Sequence, residues 1–243
     1  MKIVLATHDS IFGRYLAATL VEAGVVDRVI VETAKAKPSF YWRKLKKVGP
    51  VNFAFQYWLN RWYEREGAKV LPNLAMPEHE RVRSLNGLVF DHDELVIGFG
   101  TSYVNPQTLR LAPNGILNLH TGILPQYRGV KSEYWALLNG DIRAIGWTLH
   151  RMTERLDEGD IVQQRCVEWK GESPGQIRGV IVRDAMTMLS LFLKENFKFD
   201  VKVDAWPQAD SEAHYYTTPL WRDWLVYKRK RYRSCKVIDQ SST

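Results

Sequence analysis

The sequence predicts an α/β chain, a doubly wound and mostly parallel sheet carrying a short C-terminal extension. Three observations predict it. The apolar segments are short β-branched runs separated by stretches of helical period. The chain opens strand, helix, strand, the order that builds a parallel sheet. Its 243 residues, 45% hydrophobic and 12% aromatic, suffice for one large core near the upper size of a single domain. Residues 1–198 are expected to form the main domain and residues 199–243 an extension packed on it.

Residues 2–7 form an apolar run, Phe12, Tyr15, Leu16, Thr19 and Leu20 follow at helical spacing, and residues 28–31 make a second strand after Gly24. A right-handed crossover places the end of the first strand on the ligand-binding edge, with His8 and Arg14 near it. The loop Thr7-His8-Asp9-Ser10-Ile11-Phe12-Gly13 is no dinucleotide fingerprint, so no NAD is expected. Residues 35–67 are rich in Trp, Tyr, Lys and Arg, with Phe55, Trp58, Leu59 and Trp62 on one helical face. Such a stripe serves as core, as an interface with a second copy of the chain, or as a stacking platform, and the sequence leaves these open.

Leu95-Val96-Ile97-Gly98-Phe99-Gly100 and Ile116-Leu117-Asn118-Leu119-His120 read as buried strands. A helix is expected over residues 132–138, and paired strands over 144–152 and 161–169. Ser173-Pro174-Gly175-Gln176 offers an N-cap, a first-turn proline and a capping-box glutamine. Ile177, Val180, Ile181, Met188, Leu189 and Phe192 form the stripe of the helix that follows. The character of the sequence changes after about residue 200.

Composition also excludes. No apolar run approaches the roughly 20 residues of a membrane span, and the N-terminus lacks a signal-peptide apolar region, so a soluble cytoplasmic protein is expected. Cys166 and Cys235 cannot make a disulfide framework, and no Cys/His cluster has zinc-ligand spacing. Much of the net charge of +7 gathers between Arg222 and Lys236, against one acid, Asp223. A local basic stretch is weak ground for nucleic-acid binding.

Polar residues stop looking like surface between Asn114 and Gln164. Asn118 and His120 are two apart on a strand and point to one side, at the end where open α/β sheets bind ligands. Alone, an Asn-x-His pair reads as a turn cap and a satisfied core histidine. The turn-rich loops Leu124-Pro125-Gln126-Tyr127-Arg128-Gly129 and Leu156-Asp157-Glu158-Gly159-Asp160 follow it.

Together with Trp135-Ala136-Leu137 and Gly146-Trp147-Thr148-Leu149-His150, these blocks resemble the formyltransferases that use 10-formyltetrahydrofolate: those acting on methionyl-tRNA, glycinamide ribonucleotide and sugar amines. The resemblance covers roughly residues 95–192 and implies a Rossmann-like formyltransferase fold. It places the family's catalytic Asn, His and Asp on Asn118, His120 and Asp157. The folate crevice is expected where turn-rich loops cross the strand ends, at Phe99, Gly100, Thr101, Ile123, Leu124, Pro125, Leu156 and Asp160. Acceptor contacts are expected at His8 and Arg14, because the first strand ends at the ligand edge, and at Tyr127 and Arg128. The family's Ser-Leu-Leu-Pro is Thr121-Gly122-Ile123-Leu124-Pro125 here, so the folate loop is altered. About fifty residues follow the last expected helix, which points toward the sugar N-formyltransferases and an amine on a nucleotide-linked deoxysugar. Other small amines, hydroxylamines, or hydrolysis of the formyl-folate are the alternatives.

The residue types suit that chemistry by themselves. A neutral amine attacking a formyl carbon creates an oxyanion, which Asn118 and His120 can meet with hydrogen bonds. It also creates an ammonium, whose proton Asp157 can accept directly or through water. No metal or covalent nucleophile is required.

Overall fold

The computed structural model describes residues 1–33, 38–196 and 204–240, with side chains through residue 230 apart from residue 196. The opening unit is β1 (Lys2–His8), α1 (Ile11–Glu22) and β2 (Arg28–Glu32). Then come α2 (Pro38–Gly67), β3 (Glu80–Val82), β4 (Glu94–Phe99), α3 (Pro106–Arg110) and β5 (Ile116–His120). The second half holds β6 (Arg128–Gly129), α4 (Ser132–Asn139), β7 (Gly146–Arg151), β8 (Ile161–Cys166), α5 (Pro174–Asn196), β9 (Tyr215–Tyr216) and α6 (Trp221–Gln240).

One sheet runs β3-β2-β1-β4-β5-β7-β8. Its first five strands are parallel, and β7 and β8 continue it antiparallel. The expected mostly parallel, doubly wound architecture is therefore the observed one. Alternation along β1 divides the core: Ile3 and Leu5 join the layer of Leu16, Leu59 and Ile181, while Val4 and Ala6 meet Leu85, Phe90 and Val104. Among the described residues, no helix is long and apolar enough to cross a membrane.

Local signals explain the element ends. Ser10, in extended backbone, accepts the Gly13 N–H and caps α1. Ser173 and Gln176 close their capping box, Ser173 N to Gln176 Oε1 at 3.0 Å and Gln176 N to Ser173 Oγ at 3.4 Å. The strand expected over 144–152 begins only at Gly146, because residues 142–144 form a single 3-10 turn. Its partner stops at Cys166 rather than 169, where Trp169 Nε1 donates to the Glu172 carbonyl within a turn.

Helix α2 kinks at Gly49, whose φ is 79°, and Pro50 starts its second segment. The aromatic stripe of that segment packs within the chain. Trp58 and Trp62 stack with centroids 6.2 Å apart, and Trp224 of α6 meets them edge-on at 5.3 and 4.9 Å. Leu59 and Tyr63 beside them are buried in the core. Trp58 keeps 43% of its surface exposed, so the stripe is the rim of the core as well.

The segment from residue 204 onward is strapped across the second half of the sheet. Ile161 and Trp206 exchange both backbone hydrogen bonds, and β9 pairs parallel with β6. Helix α6 then packs on α4 and α2. The expected boundary at residue 198 and the change of character near residue 200 lie outside the described residues. So do residues 34–37 and the basic side chains from residue 231.

Candidate active site

The chemistry-bearing residues meet where β5, β7 and the loop before β8 end together. Asn118 lies opposite His150 on the antiparallel neighbour, and His120 lies two residues further along the same strand. Asp157 enters from the 152–160 loop with φ 54°, a left-handed conformation that aspartate tolerates better than most residues. All four line one cleft of about 500 Å³, within the usual range for small-molecule sites.

Hydrogen bonding fixes both imidazoles. His120 Nε2 lies 2.8 Å from the Tyr127 carbonyl and 3.1 Å from Ser132 Oγ. A carbonyl only accepts, so Nε2 carries the hydrogen, and the Nδ1 of a neutral ring presents a lone pair. That Nδ1 sits 3.7 Å from Asp157 Oδ2. His150 is fixed in the opposite tautomer, its Nδ1–H donating to the Arg151 carbonyl at 3.0 Å. Its bare Nε2 accepts from Asn118 Nδ2 at 3.1 Å. The other Asn118 amide hydrogen reaches only weakly to Asp157 Oδ1, at 3.4 Å.

Asp157 is itself anchored through its backbone and one oxygen. Gly129 N–H donates to Oδ2 at 2.8 Å, and Gln208 Nε2 donates to the Asp157 carbonyl at 2.9 Å. Gly129 has φ 102°, and a Cβ there would lie 2.1 Å from the Tyr216 carbonyl oxygen. The close approach of that backbone to the carboxylate thus depends on glycine. Gly122 is as tightly placed, since a Cβ would meet Ser132 Cβ at 2.5 Å and His120 Nε2 at 2.8 Å.

The charge states differ sharply across the cluster. Burial, aided by the neighbouring His150, holds the His120 imidazole below its ordinary value against the pull of Asp157. Burial alone pushes the Asp157 carboxyl up, but the imidazoles of His120 and His150, once protonated, and the Gly129 N–H outweigh it and hold the group at about 2. The site at neutral pH thus pairs a neutral imidazole lone pair with a permanent carboxylate.

The other expected site residues divide. Phe99, Gly100, Thr101 and Leu156 line the cleft with Tyr103, Val104 and Met152. Ile123, Leu124, Pro125 and Asp160 do not line it. Ile123, Leu124 and Pro125 are buried, and the Leu124 N–H and carbonyl are taken by Thr148 Oγ1 and Gln164 Nε2. His8 faces Glu32 across 3.8 Å and Arg14 pairs with Asp9 at 2.7 Å, both outside the cleft lining. Tyr127 directs its hydroxyl to Asp141 at 3.1 Å, on a different cavity.

Arg128 is only 2% exposed and outside the cleft lining. Its guanidinium donates to Gln208 Oε1, Asp210 Oδ1 and the Tyr215 hydroxyl at 2.8–3.0 Å. It clasps the extension and has no donor directed to the cleft.

Sequence reasoning also missed residues. His150 was visible only as part of a resembling block, because its role depends on a cross-strand register with Asn118. Ser132 and Gln208 are likewise set by tertiary contacts. Lys131 and Arg178, which also line the cleft, gave no motif signal.

Comparison with known proteins accords with this geometry. Methionyl-tRNA formyltransferase of Anaeromyxobacter dehalogenans is 34% identical over 107 residues, 44% of this chain and 33% of that protein. The chain spans about a third of the length of the curated relatives it matches. An N-formyltransferase of Helicobacter canadensis, solved with folinic acid and dTDP-3-aminofucose, superposes with a TM-score of 0.56 at 12% identity, over 89% of this chain and 71% of that one. A 4-N formyltransferase of Francisella tularensis gives 0.54 at 14% identity, over 89% and 76%. At such identities these two likenesses are of fold. The family described as formyl transferase matches residues 1–177, and the chain belongs to it.

Proposed function

We propose that this chain transfers a formyl group from 10-formyltetrahydrofolate to a primary amine, the amine of a nucleotide-linked amino-deoxy sugar being the acceptor class. The observation that carries the reading is the His120 arrangement. Its Nε2 is spent on the Tyr127 carbonyl, and its bare Nδ1 faces the cleft 3.7 Å from the Asp157 carboxylate. A folate fits the part of the cleft walled by Phe99, Val104, Met152 and Leu156, where apolar side chains at the strand ends suit a flat heterocycle. When bound there, 10-formyltetrahydrofolate supplies the formyl carbon and leaves through its N10.

The chain's own groups divide the work. Asn118 turns the amide hydrogen it lends weakly to Asp157 toward the oxyanion that forms when the amine adds to the formyl carbon. His120 Nδ1 takes the proton that the ammonium must lose and returns it to the departing nitrogen as the carbon–nitrogen bond breaks. Asp157, ionised throughout, stabilises the imidazolium in between. Relative to the roles expected from sequence, the proton acceptor moves from Asp157 to His120, and Asn118 keeps the oxyanion-donor role without His120.

The sugar acceptor is supported by the neighbouring fold solved with a nucleotide-linked aminosugar, whereas the sequence relative acts on methionyl-tRNA. One assay separates the acceptors. Purified protein is given 10-formyltetrahydrofolate with nucleotide-linked aminosugars, methionyl-tRNA, glycinamide ribonucleotide, simple amines, or no acceptor, and tetrahydrofolate, formamide and formate are measured. Tetrahydrofolate with a formylated aminosugar is the expected result. Formate alone, whatever amine is present, overturns transfer in favour of hydrolysis.

A further inference from the structure

We propose that the same cleft contains a built recess for an anionic group of the acceptor, a carboxylate or phosphate, seated on Lys131 and Arg178. The inference rests on the transfer reading for the word acceptor, but the recess itself is read from geometry. Asn60 of α2, Lys131 at the cap of α4, Arg178 of α5 and Thr218 of the extension all line the cleft that holds Asn118, His120 and Asp157.

Lys131 is 9% exposed, and its left-handed backbone, φ 60°, turns the side chain into the fold. Its ammonium lies 3.5 Å from the centroid of the Tyr63 ring. Among the described residues it makes no hydrogen bond or ion pair with a carboxylate. Arg178 donates through Nη2 to Thr121 Oγ1 at 3.1 Å, while its Nε is buried without a hydrogen-bond partner and 4.0 Å from Glu133 Oε1. Glu133 Oε1 is buried and unpartnered as well.

The ion pairing in this corner is incomplete. Glu133 is the carboxylate facing both cations, and Glu64 on α2 is engaged by the Ile11 N–H at 2.8 Å. The buried Lys131 and the partly buried Arg178 thus stand near two carboxylates, Glu133 and Glu64, yet among the described residues neither hydrogen-bonds to one. Buried charges are ordinarily paired, because an isolated ammonium out of water is costly. An unpaired one opening onto a ligand cleft is a vacancy for a counter-ion. The burial of Lys131 and the proximity of Arg178 push its ammonium down to about 7, against the opposing pull of Glu133 and Glu64. An arriving anion reverses that balance and draws a proton onto the lysine. Binding to the recess should accordingly tighten as pH falls through neutrality.

Sulfate is the probe, since it carries the same two charges across this pH range, with acetate as the carboxylate arm. Both are titrated calorimetrically into wild type, Lys131→Met and Arg178→Gln at about pH 6 and about pH 8.5, with folinic acid as a separate arm. Wild type is expected to bind sulfate roughly tenfold tighter at the lower pH, with net proton uptake. Arg178→Gln should lose about tenfold at both pH values. Lys131→Met should lose affinity and, decisively, the pH dependence; a dependence that survives intact belongs to His120, which lines the same cleft and also gains charge as pH falls.

Folinic acid affinity should stay within twofold in both variants. Sulfate affinity that is absent in wild type, equal in all three folded proteins, or still pH-dependent in Lys131→Met overturns the recess. Loss of folinic acid affinity in the variants, with sulfate unaffected, assigns these cations to the folate and overturns it too. Failure of wild type to bind folinic acid at all overturns the transfer reading and leaves the sulfate result standing alone. If Lys131→Met does not fold, Arg178→Gln and the proton uptake of wild type decide.

Discussion

Asp157 and Arg128 are both buried ions, anchored to the same extension through Gln208, yet they are built in opposite ways. Every nitrogen of the Arg128 guanidinium has a partner within 3.0 Å. The carboxylate of Asp157 has one short hydrogen bond, from Gly129, and its three side-chain neighbours stand off at 3.4 to 3.7 Å. A buried charge whose valences are all met holds structure, whereas one left with slack can tighten as a reaction proceeds. On this contrast, the residues around Asp157 should govern rate and those around Arg128 should govern stability.

The sharpest way to break the comparison is His120→Ala. It should lower kcat by about 10³ while folinic acid affinity changes by no more than a few fold, measured by steady-state kinetics and calorimetry. Near-wild-type turnover would remove His120 from the mechanism. Asn118→Ala should cost about 10² in kcat through loss of the oxyanion donor, again with folate affinity retained.

The pH profile is the next measurement. His120 is held below the ordinary imidazole value of about 6.5, and only its neutral form accepts a proton. The acid limb of kcat/KM should therefore lie below pH 6.5, falling about tenfold per pH unit beneath it, with full activity above. Asp157, at about 2, remains ionised across that window and adds no limb to it. A limb at or above pH 7 would contradict the assignment of His120 as the base.

Arg128→Met probes the other side of the contrast. It should cost about 3 kcal/mol of stability, since it strips a buried guanidinium from three partners. Thermal melting should then fall by roughly 6–12 °C for a chain of this size. Acceptor KM in the protein that remains folded should be unchanged. A large rise in acceptor KM without a fall in melting temperature would restore Arg128 to the binding site. The smallest effect belongs to Tyr127→Phe, which loses the hydroxyl contacts to Asp141 and, more weakly, Asn139, and should change melting by no more than a few degrees and either KM by less than twofold.

What the sequence made legible follows the range of the forces involved. The strand Ile116–His120 could be read because its alternation is local, and the box Ser173 to Gln176 because capping spans three residues. Asn118, His120 and Asp157, which line one cleft, could be singled out because two lie on one strand and the third lies in a block that carries the resemblance. His150 escaped because an antiparallel register joins it to Asn118 across 32 positions. Arg128 misled because its loop is turn-like, and turn-like loops usually face ligands. Residues some eighty positions later cover it. Lys131 carried no signal, since nothing in a lysine announces a left-handed backbone.

The Gln208 amide holds the carbonyls of both Asp157 and Gly159, at 2.9 and 2.7 Å. During synthesis this creates an order of events. When the ribosome has just finished β8, all of β5, β7 and the 152–160 loop exist, but the clamp on that loop does not. The clamp can form only after residue 208, about forty residues past the end of β8, has been made. A nascent chain therefore holds every strand of its seven-stranded sheet before it holds the residue that clamps the loop of its site.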